Sequence, residues 1–181
     1  MNRLFSLLML AFLFTGCKGP AENAESTASD EAPGFGISEA VQDTTPKITG
    51  IGGIFFFSDE PAKTRQWYAD QLGLVTDDYG AVFEFRNANR PGEANYLRWS
   101  PFKTGSEYLA PSDKAFMINY RVQNIEGLVR QLKENGATVL GEIEIYPYGK
   151  FVYVMDPDGN KLELWEPVDS VLTQMGGKTN K

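Results

Sequence analysis

The stretch Phe116-Met117-Ile118-Asn119-Tyr120-Arg121-Val122, followed by Asn124 and the run Ile125 to Gly136, changes its period in mid-course. In the first part Phe116, Ile118, Tyr120 and Val122 alternate with Met117, Asn119 and Arg121, the period of two that a strand requires. In the second part Ile125, Leu128, Val129 and Leu132 fall at i, i+3, i+4 and i+7, one face of a helix. Asn124 stands where a side-chain cap is needed and Gly136 where a helix closes. Glu126, Arg130, Lys133 and Glu134 occupy the solvated side.

Toward the C-terminus, a strand is expected near Val139 to Ile145 and another over Phe151 to Met155. The turn Asp156-Pro157-Asp158-Gly159-Asn160 then leads into Leu162 to Trp165. Toward the N-terminus the same order is found. Ile51 to Phe57 reads as a buried strand containing Gly52 and Gly53. Ser58 or Asp59 is placed to cap a helix with Pro61 in its first turn, ending before Gly73, with Trp67, Tyr68, Gln71 and Leu72 on one side. Ala81 to Arg86 and Asn95 to Trp99 are short strands joined through Asn89 to Gly92. Gly53 and Met117 lie 64 residues apart, Trp99 and Trp165 66 apart. The chain therefore reads as a diverged internal duplication.

Two segments of this pattern resemble a known family. Trp67-Tyr68-Ala69-Asp70-Gln71-Leu72-Gly73-Leu74 is similar to its first helix, and Asp156-Pro157-Asp158-Gly159-Asn160-Lys161-Leu162-Glu163-Leu164-Trp165 to its C-terminal segment. The family is the glyoxalase/bleomycin-resistance/extradiol-dioxygenase (vicinal oxygen chelate) superfamily, and the resemblance covers about residues 48 to 168. It implies an α+β fold of two paired βαβββ modules forming a curved mixed sheet around a pocket, and chains that pair as a homodimer. It also implies four metal ligands from the first and last strands of both modules. Carried onto this sequence, those positions are Gly53, Leu97, Met117 and Glu163, of which only Glu163 carries a side chain able to bind a metal. The chain has no histidine, so the commonest transition-metal ligand is missing. No cofactor is expected. A divalent metal held by oxygens would need Glu84, Glu142 and Glu144 to converge with Glu163.

Strand alternation sorts the remaining side chains. With Met117 and Glu163 facing the pocket, Asn119, Arg121, Lys161 and Trp165 share their face, while Phe116, Ile118, Leu162 and Leu164 pack against helices. In the other module Phe55, Phe57, Leu97 and Trp99 are expected inside. The candidate ligand-binding residues are thus Phe55, Leu97, Trp99, Met117, Asn119, Arg121, Glu163 and Trp165, an apolar lining with a few polar groups. An inward carboxylate on an apolar face needs a partner. Glu163 is either a general base and the one catalytic candidate, or one half of an ion pair with Arg98 or Arg121. Tyr146 and Tyr148 are placed to rim the pocket, and Tyr108 to Asp113 to act as a lid between the modules.

Ahead of this domain, Asn2 and Arg3 precede the Leu- and Phe-rich run Leu4 to Phe14, too short to cross a bilayer but suited to a signal peptide. Phe14-Thr15-Gly16-Cys17 resembles the lipobox of bacterial lipoproteins, where Leu is commoner than Phe at the first position. On this reading residues 1–16 are removed and Cys17, the chain's one cysteine, is diacylated, which suffices for stable anchoring. The protein is then held at the cell envelope, in the periplasm or outside the cell. Residues 17–47, rich in Ala, Glu, Ser, Thr, Gly and Pro, form a tether spanning roughly 30 Å root-mean-square, within which Phe35 to Val41 has enough apolar character to add a strand to the domain. Residues 169–181 read as a polar tail. The net charge of −7 becomes −8 once Arg3 is lost with the leader, a balance that disfavours nucleic acid as a partner. Three functions fit. The domain binds a small, partly apolar molecule without metal; or it is a lyase- or isomerase-type enzyme using Glu163 or an atypical metal site; or it is a structural lipoprotein with a vestigial pocket.

Overall fold

The computed structural model describes residues 43–181, so the leader, Cys17 and the segment Phe35 to Val41 lie outside the described residues. Its elements run β1 (Lys47–Ser58), α1 (Pro61–Leu72), β2 (Thr76–Asp77), β3 (Gly80–Arg86), β4 (Ala94–Lys103), a 3-10 turn (Glu107–Leu109), β5 (Phe116–Gln123), α2 (Ile125–Glu134), β6 (Thr138–Tyr146), β7 (Gly149–Met155), β8 (Lys161–Pro167) and α3 (Asp169–Met175). The eight strands form one curved, unclosed sheet in the order β2-β3-β4-β1-β5-β8-β7-β6. β1 pairs antiparallel with β5 at the seam, and each is flanked by a parallel partner, β4 and β8. The two halves thus repeat one βαβββ pattern about the seam, as the duplication in the sequence requires.

The outer face carries α1 and α2. Val122, Val152, Val154 and Leu164 from the second module are buried there against Ile125 and Val129 of α2, the alternation and the helical stripe expected from the sequence. Asn124 caps α2 with its side-chain oxygen accepting from the Gly127 amide at 3.0 Å, in a left-handed conformation (φ 53°). Asparagine tolerates that conformation better than most residues, and such a cap contributes about 1 kcal/mol. Over the first module the packing is lighter. Tyr68 of α1 rests on Trp99 of β4 (ring centroids 4.7 Å apart), and Phe56 of β1 meets the same indole at 5.2 Å. Glu60, not Ser58 or Asp59, is the residue that precedes α1, because Pro61 starts the helix and the Ser58 hydroxyl pairs with that of Thr64 at 2.6 Å.

Both ends of the domain fold back on it. Asp43 to Pro46, counted with the tether by composition, run beside the start of α2, where Gln123 donates to the carbonyls of Asp43 and Thr45, and Asn124 to that of Thr44. Residues 169–181, read as a polar tail, form α3 and then return to the sheet edge. There the Asn180 amide donates to Val82 O at 2.8 Å and the Glu84 amide to Asn180 O at 2.8 Å. The Asn180 side chain accepts from the Val75 amide and donates to the Val75 and Val82 carbonyls. One asparagine thereby extends the edge that β2 leaves short.

Candidate functional site

At the centre of the inner face the sheet register sets Asn119 beside Glu163, and Gly53 beside both Asn119 and Arg98. β1 is irregular between Ile51 and Gly53, which brings Gly52 onto the same face. A Cβ on Gly52 would stand 2.2 Å from Asn119 Oδ1 and 2.8 Å from Trp165 Cε3, so only glycine fits there. Into the space so left, Asn119 donates to Glu163 Oε2 at 2.6 Å. The other carboxylate oxygen accepts the Tyr108 hydroxyl at 2.8 Å. Tyr108 belongs to the connector between modules, and its carbonyl receives the Lys161 ammonium at 2.7 Å, which also lies 4.0 Å from the Tyr153 ring centroid.

This cluster is closed. Glu163, Asn119 and Lys161 are 3 %, 2 % and 7 % exposed, and Leu109, Met117 and Phe55 pack as its apolar surround. Phe102 stacks on Tyr108 with centroids 4.7 Å apart and planes 8° from parallel. Burial, and then the Glu163 charge, push the Tyr108 phenol well above its usual range, and Tyr153 moves the same way for the same reasons. Burial pushes the Lys161 ammonium down against the opposing pull of Glu163. Tyr108 is therefore a standing donor to a buried carboxylate, which such a group needs.

A divalent metal does not fit these residues. Glu163 has both oxygens engaged, while Gly53, Leu97 and Met117 offer no hard donor, and Asn119 Oδ1, buried without a partner, faces the Gly52 backbone. Nor do the other carboxylates converge: Glu84 accepts from Thr179, Glu144 from Tyr146, and the Glu142 side chain is 90 % exposed. Among the described residues no group of three or more His, Cys, Asp or Glu side chains is placed to hold an ion.

Farther along the inner face, Arg121 is 4 % exposed. Its Nη2 donates to Asp169 Oδ2 at 2.5 Å and its Nη1 to the Tyr96 carbonyl at 3.0 Å. The guanidinium also lies 5.1 Å from the Trp165 ring centroid, within cation–π range. Asn95, buried, donates to the same Asp169 oxygen. Asp169 opens α3, so these contacts dock that helix against the sheet. The ion pairs expected between Glu163 and Arg98 or Arg121 do not form, because each arginine meets a nearer aspartate.

Beneath α3 lies a cavity of about 390 Å³, within the range of small-molecule pockets (~300–1,000 Å³). Val82, Tyr96, Leu97 and Trp165 contribute its sheet side, Leu172 and Met175 its helix side, and Gly176 to Thr179 its outer wall. Asp77 and Arg98 stand at one end, joined through two parallel hydrogen bonds of 2.7 and 2.8 Å. That pairing holds the Asp77 carboxyl below the usual carboxylate range. A wider depression of about 520 Å³ at the strand ends is polar and bordered by groups already paired, among them Lys150 with Glu126 and Glu166.

The sequence-predicted residues divide accordingly. Trp165 borders the cavity from the inner face, whereas Leu97 meets it only as part of β4 and shares the face of Trp99. Phe55, Met117, Asn119 and Glu163 join the closed cluster, and Arg121 is the anchor of α3. Trp99 lies on the opposite face against α1, so its 66-residue spacing from Trp165 is not a structural equivalence; the true repeat pairs Gly53 with Arg98 as it pairs Asn119 with Glu163. Tyr108, on the connector, is half-buried against Phe55 and Leu109, while Tyr146 and Tyr148 stack on each other beside Phe151. Val82, Tyr96, Arg98 and the whole of α3 were missed. Val171, Leu172 and Met175, apolar at i, i+1 and i+4, were the sequence signal that the tail holds a helix with a face to bury.

A sequence profile of the Glyoxalase/Bleomycin resistance protein/Dioxygenase superfamily matches residues 50–164. No curated protein matches the chain. Solved structures with a similar fold include methylmalonyl-CoA epimerase from Mycobacterium tuberculosis, at 18 % identity over 70 % of this chain and 93 % of that one, TM-score 0.46. They also include a glyoxalase/bleomycin resistance protein/dioxygenase superfamily member from Vibrio splendidus 12B01, at 14 % identity over 67 % and 99 %, TM-score 0.41. A third is described as an NAD-dependent benzaldehyde dehydrogenase from Legionella pneumophila, at 16 % identity over 64 % and 97 %, TM-score 0.42.

Proposed function

The chain belongs to the glyoxalase/bleomycin resistance protein/dioxygenase superfamily, and from that premise we propose that it is a binding module, held at the cell envelope by lipid on Cys17, that takes a small, partly apolar molecule without metal. The cavity of about 390 Å³ beneath α3 is the observation that carries this reading. It combines an apolar lining with a few fixed polar groups, the usual make-up of a ligand site. An enzyme acting through Glu163 is less well supported, since both oxygens of that carboxylate already accept hydrogen bonds and the group is 3 % exposed.

A thermal-shift screen of small molecules against the protein tests the reading. A ligand at about 100 times its Kd adds roughly 2.7 kcal/mol to stability, and the shift should vanish in Met175→Asp. Met175 borders the cavity but is 68 % exposed, so the fold tolerates that change. Hits that stabilise the variant as strongly as the parent would refute the site. Labelling of cells with a radioactive fatty acid tests the anchor: label should enter the parent and not Cys17→Ala.

A further inference from the structure

Taking the cavity as the ligand site, we infer that its ligand is uncharged, because every charged side chain on its lining is either neutralised within the wall or held out in water. Three charged residues border it: Asp77, Arg98 and Lys178. The carboxylate and guanidinium of the first two meet face to face at 2.7 and 2.8 Å, and Arg98 Nε donates to the Ser100 hydroxyl at 3.2 Å. Both are thus committed in a two-pronged geometry that a ligand carboxylate or sulfonate would have to break. Lys178 is exposed at the rim, where its flexible stem keeps the ammonium hydrated.

Three uncharged polar groups of the lining are also engaged. The Tyr96 hydroxyl pairs with that of Thr173 at 2.9 Å, and the Thr179 hydroxyl donates to Glu84 at 3.3 Å. The indole N–H of Trp165 donates to the Tyr148 carbonyl at 3.3 Å, turning the ring's apolar body toward the inner face. The nearest buried ions outside the lining, Arg121 and Asp169, neutralise each other. An ionic ligand entering between Val82, Leu172, Met175 and Trp165 would lose hydration and find no free counter-charge among those side chains. An uncharged ring-bearing or branched aliphatic molecule meets no such cost.

The test uses N-phenyl-1-naphthylamine, an uncharged fluorophore that brightens in apolar surroundings, as reporter. Three competitors share its naphthalene ring: 1-acetylnaphthalene without charge, naphthalene-1-sulfonate with a negative charge, and 1-naphthyltrimethylammonium with a positive one. The reporter should bind, lose binding in Met175→Asp, and be displaced by the acetyl compound at concentrations at least tenfold below those of either ion. In Asp77→Asn, which leaves Arg98 without its partner, the affinity of the sulfonate relative to that of the acetyl compound should rise tenfold or more. Displacement by either ion as readily as by the neutral competitor would overturn the inference and leave the binding reading standing. So would a sulfonate that gains nothing relative to the acetyl compound in Asp77→Asn. A reporter that fails to bind, or binds Met175→Asp equally well, would sink the binding reading and the inference with it.

Discussion

Tyr108 donates its hydroxyl to Glu163 at 2.8 Å, so a residue of the inter-module connector closes the place where the superfamily resemblance implies a metal. The remaining oxygen is taken by Asn119. The carboxylate, one connector side chain and one strand side chain make a polar staple that ties the connector to the second module. It meets the physical requirement that a metal meets in other chemistry, a counterpart for a buried carboxylate.

Tyr108→Phe should therefore destabilise the domain by about 1–3 kcal/mol, since it leaves one oxygen of a buried carboxylate without its donor. Urea unfolding of parent and variant measures this. A midpoint unchanged by the substitution would mean that the connector does not hold Glu163.

Asp169→Asn addresses the anchor of α3. Removing one partner of a buried pair leaves Arg121, 4 % exposed, with an uncompensated charge, a loss expected at about 3–5 kcal/mol. Hydrogen exchange should show residues 170 to 175 losing protection first, and binding of an uncharged probe should weaken with it. Exchange in α3 equal to the parent's would show that the helix docks by its apolar face alone.

Gly52→Ala places a methyl group against Asn119 and Trp165 at distances no real contact allows. Overpacking of this sort costs about 1–3 kcal/mol. Thermal denaturation should show the loss, while Gly92→Ala, where nothing lies within 4 Å of the added carbon, should leave the transition in place.

The Asp77–Arg98 pair predicts a pH dependence. The folded-state pKa of Asp77 lies below its unfolded value, so the pair's contribution is present at neutral pH and is lost as pH falls below about 4. Asp77→Asn should be the less stable protein at pH 7, and the gap between the two should narrow toward pH 3. A gap of constant size would show that the pair does not titrate with folding.

Much of the architecture was legible in the sequence because it rests on periodicity. The alternation of Phe116 to Val122 and the stripe of Ile125, Leu128, Val129 and Leu132 encode which faces are buried, and a strand slipped by one residue would expose them. Repetition of that pattern implies two modules, and the absence of histidine already removes one donor class from the site. Asn119, Glu163, Met117 and Phe55 were assigned to one face for the same reason, and they share it.

Only the tertiary structure decided which of those residues lie open to a ligand. Alternation states which face a side chain takes, but not what covers that face, and here Tyr108 and Leu109 fill one half of it while α3 roofs the other. Trp99 was misassigned because similar spacing in two halves does not fix the register of β4 against β1, which depends on hydrogen bonds between distant strands. Arg121 finding Asp169, and Arg98 finding Asp77, likewise depend on which charges the fold brings within about 3 Å, a distance that no spacing along the chain encodes.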